Sequence, residues 1–265
     1  MRRNACVVML LLLFATVAGA QNDVPADRDV LYQTSTIGAL LQGVYLGDRS
    51  IGTLSTHGDF GLGTIAGLDG ELVVLDGRFF TVQYDGAVRE LPPDTGTPFA
   101  AVTWFDADRT LQLIETGSMA ELQAAVEQAF PSRNLCYAVR VKGNFSYVKT
   151  RSVPRQEPPY RPLTEVVAEQ SIFEFEDVAG TLVGFWLPAF TSGINVPGWH
   201  LHFITEDFSS GGHLLECRVR EATAEIDLTD DIVLDLPLTE GFLSCPLEAD
   251  DDAALHAVEM DPDGE

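Results

Sequence analysis

Basic residues are scarce in this chain of 265 residues. Sixteen Lys and Arg stand against 40 Asp and Glu, which gives a formal net charge of −24. A surface of that sign repels phosphate backbones and anionic lipid, so the composition argues against nucleic acid and membrane surfaces as partners. It also repels anionic substrates. Any site that accepts a carboxylate therefore needs local positive charge, from a metal ion or an arginine.

Cysteine is also rare, with four residues in the whole sequence. Cys6 lies in the apolar leader described below, so Cys136, Cys217 and Cys245 remain. In an oxidising compartment these three allow at most one internal disulfide, and their spacing does not resemble a metal knuckle. We expect all three to be buried side chains that behave as small apolar groups.

Long apolar runs are missing beyond the first twenty residues, so we expect no membrane contact by the mature protein. The chain begins with a short basic segment, positions 5–17 are almost wholly apolar, and small residues occupy 18–20. This pattern is typical of a signal peptide and predicts cleavage near Ala20 and an exported, periplasmic or extracellular protein. A retained anchor is the alternative, although the apolar run is short for a bilayer crossing.

Glycine-rich dinucleotide or phosphate loops are missing as well. What the chain does contain is a series of short apolar runs separated by Asp-Gly pairs, which predicts an antiparallel meander over residues 64–88. We also expect a strand at 51–56 and a glycine-rich loop at 57–63. Ser118 and Glu121 form a capping box ahead of an apolar helical face that ends at Pro131.

These patterns predict an α+β fold that is mainly β, with two sheet-based halves and a few short helices. The proline-rich run 154–162 is extended and is expected to connect the halves. We therefore predict an N-terminal mixed β-sheet domain with helices at 21–153. A C-terminal β-sheet domain, carrying a metal site on a β-hairpin, is predicted at 154–265.

The predicted hairpin concentrates three of the five histidines of the chain within fourteen residues. His200 and His202 alternate with apolar neighbours, so on a strand both point to one face. Residues 206–212 have turn chemistry, and a reversal near their middle brings His213 roughly opposite His202. Three imidazoles with an open fourth position are typical of catalytic zinc, although a His-x-His pair also occurs by chance on exposed strands.

Two motifs resemble the alpha-acetolactate decarboxylase family. Residues 198–203 read Gly-Trp-His-Leu-His-Phe and are followed by Gly-Gly-His at 211–213, which is similar to the metal-binding hairpin of that family. Residues 57–64, His-Gly-Asp-Phe-Gly-Leu-Gly-Thr, with Leu-Asp-Gly-Glu-Leu at 68–72, look like its N-terminal signature. The resemblance extends from about Leu31 to Glu259.

The resemblance implies a Zn²⁺ enzyme and a homodimer. It implies zinc ligation by His200, His202 and His213, with Glu71, Arg151 and Glu259 as catalytic residues beside the metal. The implied reaction converts 2-acetolactate, a 2-hydroxy-3-keto acid, to acetoin and carbon dioxide through an enediolate that the metal stabilises. Arg151 would bind the substrate carboxylate or deliver a proton, and the glutamates would handle protons and shape the pocket, with a C-terminal tail folded over the site.

Without the resemblance, each of the last three residues has a simpler interpretation. Glu71 reads as a solvated carboxylate at a strand end, Arg151 as an exposed strand cation, and Glu259 as part of a solvated acidic tail. Two other functions also remain open from the residues. One is a different zinc lyase, hydratase or hydrolase with a metal-activated water, and the other is an exported zinc-binding protein without enzymatic activity.

Overall fold

A computed structural model describes residues 28–247 and 252–259. The predicted signal peptide and its cleavage position lie outside the described residues. Fourteen strands are described in these ranges, and they are, in chain order, β1 (Val30–Thr34), β2 (Arg49–Ser50), β3 (Phe60–Thr64), β4 (Glu71–Leu75), β5 (Arg78–Val82), β6 (Val88–Glu90), β7 (Gly96–Thr97), β8 (Phe99–Thr103), β9 (Arg109–Ile114), β10 (Cys136–Ser152), β11 (Ser171–Leu187), β12 (Gly198–Thr205), β13 (Gly211–Thr229) and β14 (Asp231–Asp235).

Six short α-helices accompany the strands: α1 (Ile37–Leu41), α2 (Ile51–Leu54), α3 (Met119–Glu127), α4 (Leu163–Val167), α5 (Glu240–Ser244) and α6 (Asp252–Glu259). The predicted helix after Ser118 is confirmed as α3, and the Ser118 side chain accepts a hydrogen bond from the backbone N–H of Glu121. Within the described ranges, no helix has the length and apolar character needed to cross a membrane.

Two main sheets form the fold, which confirms the mainly β class. Seven strands make the first sheet, in the order β14-β1-β8-β3-β4-β5-β6. The second has the order β10-β11-β12-β13-β9, and an extra pairing between β10 and β13 makes its four longest strands a closed cycle of neighbours. Apolar side chains from both sheets, such as Phe60, Leu62 and Phe185, pack together in one buried cluster. The second sheet carries the histidine hairpin.

The chain passes between the two sheets more often than the predicted division into two halves implies. Strands β9 and β10 precede residue 154 but belong to the second sheet, and β14 returns to the first sheet, where it pairs in parallel with β1. The division at 153 and 154 is therefore not a boundary between sheets, and separate domains at 21–153 and 154–265 stay a prediction. Strand pairing is non-local, so composition along the chain did not reveal these crossings.

Two local predictions in the N-terminal third were wrong. Residues 51–54 form helix α2 instead of a strand, because the Ser50 side chain caps it by accepting from the Thr53 N–H. The glycine-rich segment is largely strand β3 instead of a loop. At Gly61, with φ of 155°, an added Cβ would lie 2.1 Å from the Ala101 carbonyl oxygen of the neighbouring strand, so this glycine permits close strand pairing.

The cysteines follow the prediction in part. Cys136 and Cys217 are buried within the apolar clusters, and burial raises the pKa of the Cys136 thiol to about 11. Cys245 is partly exposed instead, because it follows the surface helix α5. None of the three contributes to the histidine cluster.

Asp227 gives the fold a testable dependence on pH. Its side chain is 1% exposed, and burial, followed by the nearby Asp108, raises the pKa of its carboxyl group to about 7. In the unfolded chain the pKa is about 3.9, so the folded state pays for ionisation as pH rises from about 4 to 7. We expect Asp227→Asn to remove this penalty, so the variant gains stability over wild type as the pH rises. The difference in the free energy of unfolding between variant and wild type should be larger at pH 8 than at pH 5 by on the order of 2 kcal/mol.

Urea unfolding of both proteins at the two pH values measures this difference. Effects of all other titrating groups are common to both proteins and cancel in the comparison. An equal stability difference at pH 5 and pH 8 would contradict the assignment of a raised pKa to Asp227.

Candidate metal centre

The hairpin of β12 and β13 brings the three predicted histidines together. His202 lies directly opposite His213 in the strand register, as the turn chemistry predicted, and His200 precedes His202 on the same face of β12. All three side chains are buried, at 6%, 1% and 3% exposure in chain order. Their ligand nitrogens lie within 4.8 Å of one another, the only such grouping of potential ligands in the two described ranges.

Burial keeps these imidazoles neutral. Desolvation, reinforced by the nearby charge of Arg151, lowers the pKa of His200 to about 3, and desolvation also holds the pKa of His202 and His213 well below the usual range. The Nδ1 atom of His202 lies 2.8 Å from the Leu72 carbonyl oxygen. Because a carbonyl can only accept, Nδ1 carries the proton and Nε2 keeps its lone pair for a metal.

Two buried carboxylates face the histidine nitrogens. Glu71, the first residue of β4, places its Oε2 atom 3.7 Å from Nε2 of His202. Glu259, the last residue of α6, places Oε2 3.6 Å from Nε2 of His213 and 3.9 Å from Nε2 of His200. Two atoms that each lie about 2.1 Å from one tetrahedral ion are about 3.4 Å apart, so these separations suit groups that face a common ion.

Both glutamates have strongly shifted proton affinities. Burial raises the pKa of Glu71 and of Glu259 to about 7, while Arg151 opposes the shift in each case. A carboxyl group with a pKa near 7 exchanges its proton readily at neutral pH, as general acids and bases require. A bound cation would favour the ionised forms.

Arg151 completes the charged part of the site. It lies near the end of β10 and pairs with His213 in the register between β10 and β13, so its side chain is on the same face as the imidazoles. The side chain is 4% exposed, and its Nη1 atom donates a hydrogen bond to Oε1 of Gln170 at 3.3 Å. The structure therefore brings all six residues of the predicted site to one place.

A small chamber of about 40 Å³ lies between these polar groups and an apolar wall. The wall is formed mainly by residues of the short helices and of β8, and it includes Ile37, Leu40, Phe99, Leu163, Val167 and Val258. A larger cavity of about 510 Å³ shares His213 and Glu259 with the chamber. Helix α6 borders both, since Val258 lines the chamber and Leu255 lines the larger cavity, and the folding of the tail over the site stays a prediction.

Thr64 and Gln170 contribute to the site but were missed in the sequence. Thr64 lines the chamber at the end of β3, and its hydroxyl donates to the Gly70 carbonyl oxygen. It is the last residue of the recognised motif at 57–64, which was the one available signal. Gln170 follows helix α4, and nothing in its sequence neighbourhood pointed to Arg151.

The donor set fits a borderline divalent cation. Three neutral imidazoles, with carboxylate oxygens beside them, are the ligands that zinc and its first-row neighbours accept. His200 supports the same conclusion, because its Nδ1 atom is buried without a hydrogen-bond partner and its Nε2 atom points into the cluster. Burying a polar atom without a hydrogen-bond partner is energetically unfavourable, and such atoms are characteristic of functional sites.

The family model for alpha-acetolactate decarboxylase matches residues 31–249. The chain belongs to the alpha-acetolactate decarboxylase family. The alpha-acetolactate decarboxylase of Methanosarcina mazei is 49% identical over 231 residues, covering 87% of this chain and 80% of that protein. The enzyme of that name from Klebsiella aerogenes is 42% identical over 231 residues, covering 87% and 89%.

Solved structures of alpha-acetolactate decarboxylases agree with the fold. The crystal structure of the Bacillus subtilis strain 168 protein superposes with a TM-score of 0.86 at 39% identity, covering 88% of this chain and all of that one. A Staphylococcus aureus protein of unknown function, described as similar to the family, gives 0.82 at 31% identity, covering 86% and 98%. The recognition from two motifs and the assignment as a carboxy-lyase are confirmed. The family match ends before α6, so it does not include Glu259.

Proposed function

We propose that this chain decarboxylates 2-acetolactate to acetoin and carbon dioxide with zinc held by His200, His202 and His213. Membership of the decarboxylase family gives the reaction class. The observation that carries the proposal is the meeting of three buried neutral imidazoles with Arg151 and two carboxyl groups of raised pKa around one small chamber. When bound, zinc would supply Lewis acidity for the carbonyl and hydroxyl oxygens of the substrate.

Arg151 binds the substrate carboxylate in this proposal. Its planar fork matches a carboxylate, and it is the charge that an anionic substrate needs inside a strongly acidic protein. The surrounding wall is apolar, so little water competes for this contact, and the electrostatic attraction is stronger than it would be at the surface. The carboxylate departs as carbon dioxide, which has no charge to hold it beside the guanidinium.

Glu71 and Glu259 manage the proton that the reaction consumes. Loss of carbon dioxide leaves an electron pair at C2, and one proton must be added there to give neutral acetoin. Burial raises the pKa of both carboxyl groups and so favours the acid form that can donate that proton, whereas a bound zinc ion would favour the ionised form that can accept one. The two side chains approach the histidines from different elements, β4 and α6, so two proton carriers lie beside the imidazoles.

We also propose that the protein is exported and acts as a homodimer. The leader pattern supports cleavage near Ala20.

Dimer formation is supported by β14, an edge strand of the seven-stranded sheet on which Ile232 and Val233 are 41% and 47% exposed. Exposed apolar edge strands pair readily with another chain. A mature chain that still contains its first twenty residues, or a monomer at micromolar concentration in sedimentation, would contradict these points.

Product analysis tests the proposed reaction. Protein that starts at Gln21 and is loaded with zinc is incubated with racemic 2-acetolactate, and acetoin and carbon dioxide are both quantified. We expect equal amounts of the two products, at a rate well above that with zinc alone or with heat-denatured protein. Folded, zinc-loaded protein that forms no acetoin would contradict the proposal, and turnover of esters or hydration of carbonyls would then indicate a zinc-hydroxide enzyme.

A further inference from the structure

Gln170 contacts Arg151 but is not one of the residues that line the chamber. The hydrogen bond from Nη1 of Arg151 to Oε1 of Gln170 spans 3.3 Å, and the Nε atom of Arg151 is buried without an acceptor. A guanidinium group carries five N–H donors in a rigid plane, so one fixed contact sets the orientation of the whole fork. The remaining donors stay available for a carboxylate in the chamber.

The backbone of Gln170 is held on both sides. Its N–H donates to the Val167 carbonyl oxygen at 3.0 Å, at the end of α4. The next residue, Ser171, begins β11 and pairs with Ser152, the neighbour of Arg151 on β10. The amide oxygen is therefore positioned by the strand that pairs with the arginine itself and by the helix that lines the chamber.

Residue 170 carries a neutral amide, although the residue before it is a glutamate. Glu169, the preceding residue, pairs with Arg161 at 2.7 Å and is exposed. A carboxylate in the place of the Gln170 amide would form a charge-assisted pair with Arg151 and would compete with an anionic substrate. The amide oxygen accepts one hydrogen bond and leaves the positive charge uncompensated.

We propose that Gln170 is a positioning residue, which orients the Arg151 fork toward the substrate carboxylate without neutralising it. This inference rests on the proposed decarboxylase function and gives Gln170 the role of supporting the arginine that binds the substrate. Gln170 should therefore affect the affinity for ligands that carry a carboxylate and should not affect the affinity for ligands that lack one.

Three variants test this role: Gln170→Ala, Gln170→Glu and the control Glu169→Gln. Two inhibitors separate carboxylate binding from general binding, namely 2-hydroxyisobutyrate, which carries a carboxylate, and acetoin, which does not. In Gln170→Ala we expect the KM for 2-acetolactate and the Ki for 2-hydroxyisobutyrate to rise about tenfold, the value of one lost charged hydrogen bond. The kcat and the Ki for acetoin should change less than about threefold. Gln170→Glu should raise the same KM further, and Glu169→Gln should match wild type.

Three results would overturn the positioning role. They are an unchanged KM in Gln170→Ala, a KM in Gln170→Glu no higher than in wild type, and an equal rise of both Ki values, which indicates general damage to the pocket. Calorimetric titration of 2-hydroxyisobutyrate into the zinc-loaded proteins measures its affinity directly, without turnover, and so tests the same role. A wild type that forms no acetoin removes the proposed function, whereas an active wild type with unaltered Gln170 variants removes only this inference.

Discussion

Replacing His202 with alanine is expected to eliminate stoichiometric zinc and to lower kcat/KM by about four orders of magnitude. His202 is 1% exposed, its ring centroid lies 5.3 Å from that of His200 and 5.4 Å from that of His213, and its Nδ1 contact with the Leu72 carbonyl oxygen orients it. Two imidazoles leave the ion with too few fixed ligands, and the charge stabilisation that a metal supplies is worth several kcal/mol of the barrier. Metal content per chain and kcat/KM on the folded variant measure the effect.

His57→Gln is the matched control for this prediction. His57 stacks on the ring of Tyr32, with the ring centroids 3.8 Å apart, and it does not belong to the histidine cluster. The control should keep one zinc per chain and a kcat/KM within about threefold of wild type, because it alters no group that lines the chamber. Full zinc occupancy and activity in His202→Ala would contradict the assignment of the metal ligands.

Removing the charge of Arg151 is expected to have the second largest effect. Arg151→Met keeps an unbranched apolar stem but has no donor, and we expect kcat/KM to fall by about three orders of magnitude while zinc remains bound. The loss follows from the missing carboxylate partner in a buried site, where a charged hydrogen-bonded pair is worth several kcal/mol. Steady-state kinetics and metal analysis of the same preparation check both parts.

Arg151→Lys separates charge from shape. Lysine keeps the positive charge but lacks the planar fork, so we expect an intermediate loss, on the order of a hundredfold. Activity in Arg151→Met above about a tenth of wild type would rule out the carboxylate-binding role. Loss of zinc from that variant would show that Arg151 supports the metal ligands instead.

The metal hairpin could be predicted from sequence because its determinants are local. His200 and His202 share a face through the two-residue period of a strand, and the turn that follows fixes the register of His213. The structure confirms the pairing of His202 with His213. Three imidazoles separated by one turn require no knowledge of the remaining fold.

The other residues of the site could not be derived in this way. Glu71, Arg151 and Glu259 reach the chamber from β4, β10 and α6, and their local sequences resemble ordinary solvated positions. Burial, which shifts the pKa of both glutamates, is a property of the assembled sheets and helices. The resemblance to a family supplied these positions, and the structure places them within reach of the histidines.

Non-local pairing also limited the prediction of the fold. The alternation of apolar residues indicated strands but not their partners, so the membership of β9, β10 and β14 in the two sheets was not foreseen. At positions 51–54 the side-chain cap from Ser50 outweighed the strand propensity of the isoleucine and threonine. Gln170 was missed because its importance depends on one contact across the β10 and β11 pair.

Zinc-dependent decarboxylation is tested by acetoin formation from 2-acetolactate by the chain starting at Gln21, measured before chelation, after chelation and after zinc readdition. We expect the activity to disappear with the metal and to return with about one zinc per chain, while the chelated protein stays folded. Undiminished acetoin formation by metal-free protein would show that the reaction does not need a metal at the three-histidine centre. If another divalent ion restores the activity and zinc does not, the three-histidine centre remains the metal site, but its metal is that other ion.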